Sequence, residues 1–238
     1  MRPFLLGGRG ARLSQGGPRV PRGAAYHRPM LTAAQLFAFL VAAVLITATP
    51  GPDNLMVLGM GVSRGRRQGI AFGLGCALGC LSHTLLAVVG VSALIAASPV
   101  AFTALKWVGG AYLIWLGVQA LRSQGGGQVA AADAVPVQPL RSLFLKGMFA
   151  NAINPKVVLF FLSFLPQFVV PAQGQVALQL GLLGLAFTAQ AAVLFGLLGY
   201  FAGAIGAWLG RRPRAGLWLD RVAGAVFVGL GVKMVTGR

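Results

Sequence analysis

Two polar clusters interrupt otherwise apolar stretches of this chain, and each places proline beside an ionisable residue. The first is Pro50-Gly51-Pro52-Asp53-Asn54, and the second is Asn151 followed by Asn154-Pro155-Lys156. Proline has no N–H and does not continue a helix, so each cluster predicts a helix that stops and restarts. The restarting end carries partial positive charge and suits a carboxylate, whereas the preceding carbonyl end suits an ammonium group. A zwitterion would match both ends.

Asp53 and Lys156 are the ionisable residues of these clusters. At the centre of a bilayer such a side chain costs about 2.5–3.5 kcal/mol on insertion scales, and it usually faces a cavity or a partner. We therefore predict one shared cavity, in which Lys156 neutralises a substrate carboxylate or pairs with Asp53, and Asp53 takes up and releases a proton. A pair kept for stability alone is the alternative. Gln167 and Gln190 are further candidates for lining the path.

Cys76, Cys80 and His83 share one face of a predicted helix, because they are spaced four and three residues apart. This set could ligate a soft metal ion, and the two thiols could do redox chemistry. Cysteine also packs as a small apolar residue, and Gly75 and Gly79 lie in the same segment. We predict helix packing for the cysteines, with no metal site, and a structural hydrogen bond for His83 with proton relay as its alternative.

The composition is that of a membrane protein. Of the 238 residues, 57% are hydrophobic and 10% are charged, whereas soluble domains carry about 25% charged residues. The net charge of +17 is spread between apolar runs, so nucleic acid is not an expected partner. Three acidic residues in the whole chain leave little for acid–base catalysis, so neither an enzyme nor a cofactor is expected.

Six apolar runs are long enough to cross a bilayer core of about 30 Å. They cover residues 31–62 with the break at 50–54, then 69–97, 100–121, 143–170 with the break at 154–156, 176–209 and 217–235. We divide the chain into a disordered basic extension (1–29), a first three-helix repeat (30–121), a linker (122–142) and a second three-helix repeat (143–238). Met30 begins a clean apolar segment, so the extension reflects an over-extended translation start or, alternatively, a basic targeting or lipid-binding arm.

The two halves resemble each other. Residues 105–118 align with residues 219–232, with Leu, Val, Gly, Ala, Leu, Gly and Val at matching places. The third and sixth helices, and hence the broken first and fourth helices, are predicted counterparts. Three spans per half require the halves to cross the membrane in opposite directions, which predicts an all-α membrane protein built as an inverted repeat. Convergence on a glycine-rich composition is the alternative.

Charge predicts the orientation. The loops that contain Arg64 to Arg67, Arg122 to Lys146 and Arg211 to Arg214 share one side, and the opposite loops have few Lys or Arg. The positive-inside rule therefore predicts three cytoplasmic loops and both termini outside. The arginines of residues 1–29 would favour the reverse orientation.

Several motifs together resemble the LysE/RhtB amino-acid exporters, from about Met30 to the C terminus. They are Thr49-Pro50-Gly51-Pro52-Asp53-Asn54, Gly65-Arg66-Arg67 before Gly69, Leu105-Lys106 with Gly110-Ala111-Tyr112-Leu113 and Leu116-Gly117, and Asn154-Pro155-Lys156 with Phe160-Phe161 and Leu165-Pro166-Gln167-Phe168. The resemblance implies efflux of amino acids such as lysine, homoserine or threonine across the bacterial inner membrane, driven by proton exchange. Family members often carry Asn where this chain has Asp53, which implies an altered preference for substrate charge.

The leading prediction is a secondary-active efflux carrier for amino acids or close analogues, multi-pass in the bacterial inner membrane. Its partners would be the substrate and the lipid bilayer, with a homodimer left open. A cation or heavy-metal exporter that uses Cys76, Cys80 and His83 as ligands is one alternative. An intramembrane thiol oxidoreductase is the other.

Overall fold

The computed structural model describes residues 31–123 and 138–237, and the described residues fold into helices. The predicted disorder of residues 1–29 lies outside them, as does most of the predicted linker. The helices are α1 (Ala33–Ala48), α2 (Pro52–Arg64), α3 (Arg66–Ala97), α4 (Pro99–Arg122), α5 (Leu140–Ala152), α6 (Pro155–Phe168), α7 (Val176–Arg211) and α8 (Pro213–Thr236). Two of them include a π turn, which covers Ala87–Val91 in α3 and Phe160–Phe164 in α6.

Local signals fix where the helices begin. Prolines occupy the first position of α2, α4, α6 and α8, where a missing N–H costs nothing. Thr32 and Gln35 form a capping box at the start of α1. The Ser98 side chain accepts from Ala101 N at 3.2 Å at the start of α4, so the turn between α3 and α4 is as tight as the sequence predicts.

Four helices, α3, α4, α7 and α8, are long and apolar enough to cross a membrane. The helices α1 and α2 form a pair bent by 58°, and α5 and α6 form a pair bent by 52°. The number of spans rises to six if each bent pair crosses once. This confirms the all-α membrane fold, and the bends fall at the predicted breaks. Several helices begin about three residues before the predicted apolar runs. Their first turns contain Arg66, Arg141 or Arg214, and an arginine there does not disturb the helical geometry.

The contact between α4 and α8 has the symmetry of an inverted repeat. A Cβ added at Gly110 would lie 3.1 Å from Gly231 O, and one added at Gly117 would lie 2.7 Å from Gly224 O. The sequence alignment pairs Gly110 with Gly224 and Gly117 with Gly231. The contact between Gly110 and Gly231 is therefore equivalent to the contact between Gly224 and Gly117. The helices therefore run antiparallel about a local two-fold axis. Glycine at all four positions lets the backbones approach this closely.

The helix α3 packs through two different glycine faces. Gly69 and Gly73 face α7, where an added Cβ at Gly73 would lie 2.9 Å from Phe195 O. Gly75 and Gly79 face α5 instead, and an added Cβ at Gly75 would lie 2.0 Å from Phe144 O. Substitution of these glycines would therefore force the helices apart. Close packing of α3 brings α5 and α7, which both contribute to the site described below, to the same helix.

Candidate functional site

The two helix breaks meet in the protein interior. Asp53 is the second residue of α2 and Lys156 is the second residue of α6. Lys156 Nζ donates to Ile46 O at 3.2 Å and to Thr49 O at 3.1 Å, at the end of α1. Asp53 Oδ2 accepts from Asn151 Nδ2 at 2.7 Å, in the last turn of α5. Each ionisable residue thus reaches the end of the first half-helix of the opposite repeat.

Both charged side chains are buried, Asp53 with 1% and Lys156 with 7% of its surface exposed. The last carbonyls of a helix have no partner within it and form its negative end. The Lys156 ammonium group satisfies two such carbonyls of α1, and Asn54 Nδ2 donates to a third, Thr47 O, at 2.8 Å. The hydrogen bonds of Asp53 and Lys156 therefore go to different partners, and the two charges are not joined directly.

Asn151 connects three helices at the site. Its amide group binds Asp53 of α2, and Cys80 Sγ of α3 lies 3.5 Å from its Oδ1. His83 Nε2, also of α3, lies 3.1 Å from Asn151 O. Because His83 bonds to the backbone carbonyl of Asn151 itself, it fixes the last turn of α5 and leaves the Asn151 side chain free to bind Asp53. Cys76 and Cys80 are free and buried in the same interface.

Three neighbours besides the α1 carbonyls set the position of Lys156. Asn154 caps α6 by accepting from Lys156 N at 3.1 Å, which fixes the start of the helix. The Phe227 ring centroid lies 5.7 Å from Nζ, within cation–π range. A Cβ added at Gly51 would lie 2.8 Å from Nζ, so Gly51 leaves the space that the ammonium group occupies.

Between the breaks lies a nearly closed cavity with a free volume of about 10 Å³, enough for about one water molecule. Asp53, Asn151 and Lys156 form its polar wall. The other lining residues are Ile46, Thr47, Cys80, Val157, Phe160, Phe187 and Phe195. This conformation is therefore closed around its own charges, and any solute larger than water requires the walls to move.

An aromatic cluster from α1, α6 and α7 adjoins the cavity, which two of its members, Phe160 and Phe187, line. Its members are Phe39, Phe160, Phe161, Phe164, Phe168 and Phe187. The Phe160 ring centroid lies 5.1 Å from that of Phe187, and the Phe39 centroid lies 5.3 Å from that of Phe168. Gln35 Nε2 also donates to Phe168 O. The cluster therefore joins the start of α1 to the end of α6.

Three buried amide atoms near the breaks have no hydrogen-bond partner among the described residues: Asn54 Oδ1, Gln190 Oε1 and Asn154 Nδ2. Gln190 Nε2 donates to Thr47 Oγ1 at 2.9 Å, so Asn54 and Gln190 both bind Thr47. Their free oxygens are acceptors suited to an ammonium group, and the free Asn154 amide is a donor suited to a carboxylate. Unpartnered polar atoms at this depth are costly unless a ligand or water uses them.

The structure brings most of the predicted site residues together. Pro50, Gly51, Pro52, Asn154 and Pro155 form the two breaks, and Asp53, Asn54, Asn151 and Lys156 surround them.

Gln167 Nε2 bonds instead to Ser163 O of its own helix at 3.1 Å, and Gln167 does not line the cavity. Sequence reasoning expected the carbonyl end of the first half-helix to suit an ammonium group, but it did not identify Lys156 as the group bound to Ile46 O and Thr49 O, and it missed the phenylalanine walls. The local signal for the acceptors is that Ile46 and Thr49 lie in the four residues before Pro50.

Two of the three residues considered as metal ligands, Cys80 and His83, contact Asn151. Among residues 31–123 and 138–237, no three His, Cys, Asp or Glu side chains are grouped so that they could hold a metal ion. The alternative of a heavy-metal exporter therefore gains no support from the geometry.

Comparison with known proteins gives one consistent family. A sequence model of the LysE type translocators matches residues 44–238. An uncharacterized membrane protein of Pseudomonas aeruginosa is 33% identical over 212 residues, covering 87% of this chain and 98% of that protein. A homoserine/homoserine lactone efflux protein of Salmonella typhimurium is 31% identical over 202 residues, covering 85% of this chain and 96% of that protein.

A leucine efflux protein of Klebsiella pneumoniae is 34% identical over 134 residues, covering 55% of this chain and 61% of that protein. No solved structure gives a significant match. The family match covers most of the chain and includes both helix breaks, and it confirms the resemblance inferred from the motifs. Members of this family are multi-pass transporters of the inner membrane, which fits the bent and straight spans of α1 to α8. The chain belongs to the LysE type translocator family.

Proposed function

We propose that this protein is a secondary-active carrier that exports small neutral amino acids across the bacterial inner membrane. One observation carries the proposal: a buried acid and a buried base, at equivalent positions of two inverted half-helices, line a single cavity. Ionisable residues at this depth in a membrane protein mark solute or ion pathways. Helix breaks at corresponding places of two inverted repeats mark binding sites in secondary carriers.

The groups around the cavity complement a zwitterion. Carbonyls at the end of α1 and the Asp53 carboxylate suit an ammonium group, whereas the start of α6 with Lys156 suits a carboxylate. Asp53 and Lys156 have opposite charges, so each charged group of a bound zwitterion can face a residue of opposite charge. Phe160, Phe187 and Phe195 form the apolar wall and would contact the amino-acid side chain.

The names of the relatives agree with recognition of an ammonium group. One relative is named for homoserine and homoserine lactone, and another is named for leucine. All three compounds carry an amino group, but the lactone has no carboxylate. The feature common to the three is therefore the group that the acceptor-rich end of α1 would bind.

We assign proton coupling to Asp53, because it is the carboxylate that lines the cavity in the described part of the chain. Protonation would remove its charge and weaken its contact with Asn151, which would release α2 from α5. Protons entering from outside would thereby be exchanged for an amino acid leaving the cell.

Efflux from proteoliposomes tests this function. We expect vesicles loaded with labelled leucine or homoserine to release it when a pH gradient is imposed, and Asp53→Asn and Lys156→Met to reduce this release by about tenfold or more. Matched controls are Asp220→Asn and Lys106→Met, because Asp220 bonds to Ser123 Oγ and Lys106 to Gly237 O, both outside the cavity. Unchanged efflux in the Asp53 and Lys156 variants would refute the assignment of the site.

A further inference from the structure

We propose that Lys156 is a stand-in for the substrate's ammonium group. In the closed cavity its Nζ occupies the ammonium seat, and a substrate enters by displacing it. We define the ammonium seat as Ile46 O, Thr49 O and the Phe227 ring. This inference rests on the proposed amino-acid export, and it makes Lys156 the residue that selects zwitterions over simple amines.

The contacts of Lys156 are those that a free primary ammonium group would make. Its Nζ donates to the two carbonyls of the seat at 3.2 and 3.1 Å and lies 5.7 Å from the Phe227 centroid. Lysine Nζ and the α-ammonium group of an amino acid are both –NH3⁺ groups with three donors. The two groups therefore compete for the same acceptors, and only one of them fits the seat at a time.

The position of Lys156 in its own helix makes displacement feasible. It lies in the first turn of α6, which is the positive end of that helix and disfavours a cation. Its favourable contacts come instead from the negative end of α1. Once a substrate ammonium group takes those carbonyls, the displaced Lys156 has two anions in the cavity to face, Asp53 and the carboxylate of the same substrate.

The size of the cavity agrees with this exchange. The free volume of about 10 Å³ cannot hold an amino acid while the lysine side chain lies across the cavity. Withdrawal of the side chain frees the volume of its alkyl stem next to the phenylalanine wall. The missing side chain at Gly51, where a Cβ would lie 2.8 Å from Nζ, leaves room for an ammonium group at the seat.

The exchange predicts which solutes bind. A zwitterion supplies both a cation for the seat and an anion for the displaced Lys156. A simple amine supplies the cation alone, so it and Lys156 would share the single negative charge of Asp53 and leave one unbalanced positive charge in a buried site, which is unfavourable. Lys156 therefore favours zwitterions over simple amines, although the ammonium group of an amine fits the seat.

The test compares leucine with 3-methylbutylamine, which is leucine without its carboxylate. Binding to the purified full-length protein in nanodiscs would be measured by calorimetry for the wild type, Lys156→Met and Lys156→Gln. We expect the wild type to prefer leucine, and both variants to bind the amine about tenfold or more tightly than the wild type does. They should bind leucine more weakly than the wild type. The Lys106→Met variant should keep the wild-type preference.

A labelling experiment adds a readout that needs no substrate. In a Cys76→Ala background the remaining thiol is Cys80, which lines the cavity. The rate at which a small ammonium-bearing methanethiosulfonate reagent labels Cys80 would report access to the cavity. We expect faster labelling once Lys156→Met vacates the seat. Lys156→Gln retains donors for the α1 carbonyls, so it guards against a simple folding defect.

The outcomes separate the two proposals. Loss of leucine binding in the variants, with no gain for the amine and no change in labelling, would make Lys156 an ordinary carboxylate ligand and would overturn the stand-in role. Failure of the wild type to bind or export any amino acid would overturn the proposed function instead. In that case a gain in amine binding by the Lys156 variants would still support the seat.

Discussion

Replacing Asn151 with alanine should destabilise the protein by leaving the buried Asp53 carboxylate without its donor. The bond at stake, Asn151 Nδ2 to Asp53 Oδ2, is 2.7 Å long and fully buried. Hydrogen bonds to charged groups contribute about 1.5–3 kcal/mol. For a chain of this size each kcal/mol corresponds to about 2–4 °C in melting temperature. We therefore expect Asn151→Ala to lower the melting temperature by about 3–12 °C.

A double-mutant cycle separates this bond from other effects of the substitution. The melting temperature in detergent would be followed by tryptophan fluorescence for the wild type, Asp53→Asn, Asn151→Ala and the double variant. Because Asp53→Asn removes the charge, Asn151→Ala should cost about 1 kcal/mol less in that background. Gln167→Ala is the matched control, since its amide bonds only to Ser163 O of its own helix. If Asn151→Ala costs the same in both backgrounds, the bond is not specific to the carboxylate and the reasoning is wrong.

Three further predictions follow from close contacts. Gly117→Leu should destabilise the α4–α8 pair by about 3 kcal/mol or more, because an added Cβ would lie 2.7 Å from a backbone oxygen. The control is Gly229→Leu, which should leave thermal unfolding unchanged because the space around the Gly229 Cα is open. Phe160→Ala should cost about 3–5 kcal/mol of packing and should raise passive leak of leucine from vesicles without a pH gradient; equal leak would mean that the aromatic cluster is no barrier. Gly51→Ala should push Lys156 from its carbonyl partners and change the apparent substrate affinity, whereas wild-type affinity would contradict the tight fit.

The proline breaks could be predicted because their cause is local. Pro52 and Pro155 act through the covalent geometry of one residue, and each begins a half-helix. The inverted repeat could be predicted too, since the matching glycines of α4 and α8 contact one another across the local two-fold axis. In both cases the information lies in residue type and spacing.

The partners of the charged residues could not be predicted in this way. Which atoms Lys156 contacts depends on how two breaks about 100 residues apart come together, and its actual partners are backbone carbonyls of the other half. For the same reason Gln167 and Gln190 could not be distinguished. Both are glutamines in apolar surroundings, yet Gln190 alone reaches Thr47 at the break.

The equivalent placement of Asp53 and Lys156 has an electrical consequence. Positions related by inversion of the two halves lie at mirrored depths about the bilayer midplane, so any separation between the acid and the base along the membrane normal gives the site a dipole in that direction. A membrane voltage contributes about 2.3 kcal/mol for each elementary charge carried across the full bilayer at 100 mV, and a proportionate fraction for a shorter path. If the lysine side chain moves as proposed, its charge crosses part of this field, and we expect the membrane voltage to favour one orientation of the carrier over the other. A duplication that had kept identical residues at both positions would have no such electrical polarity.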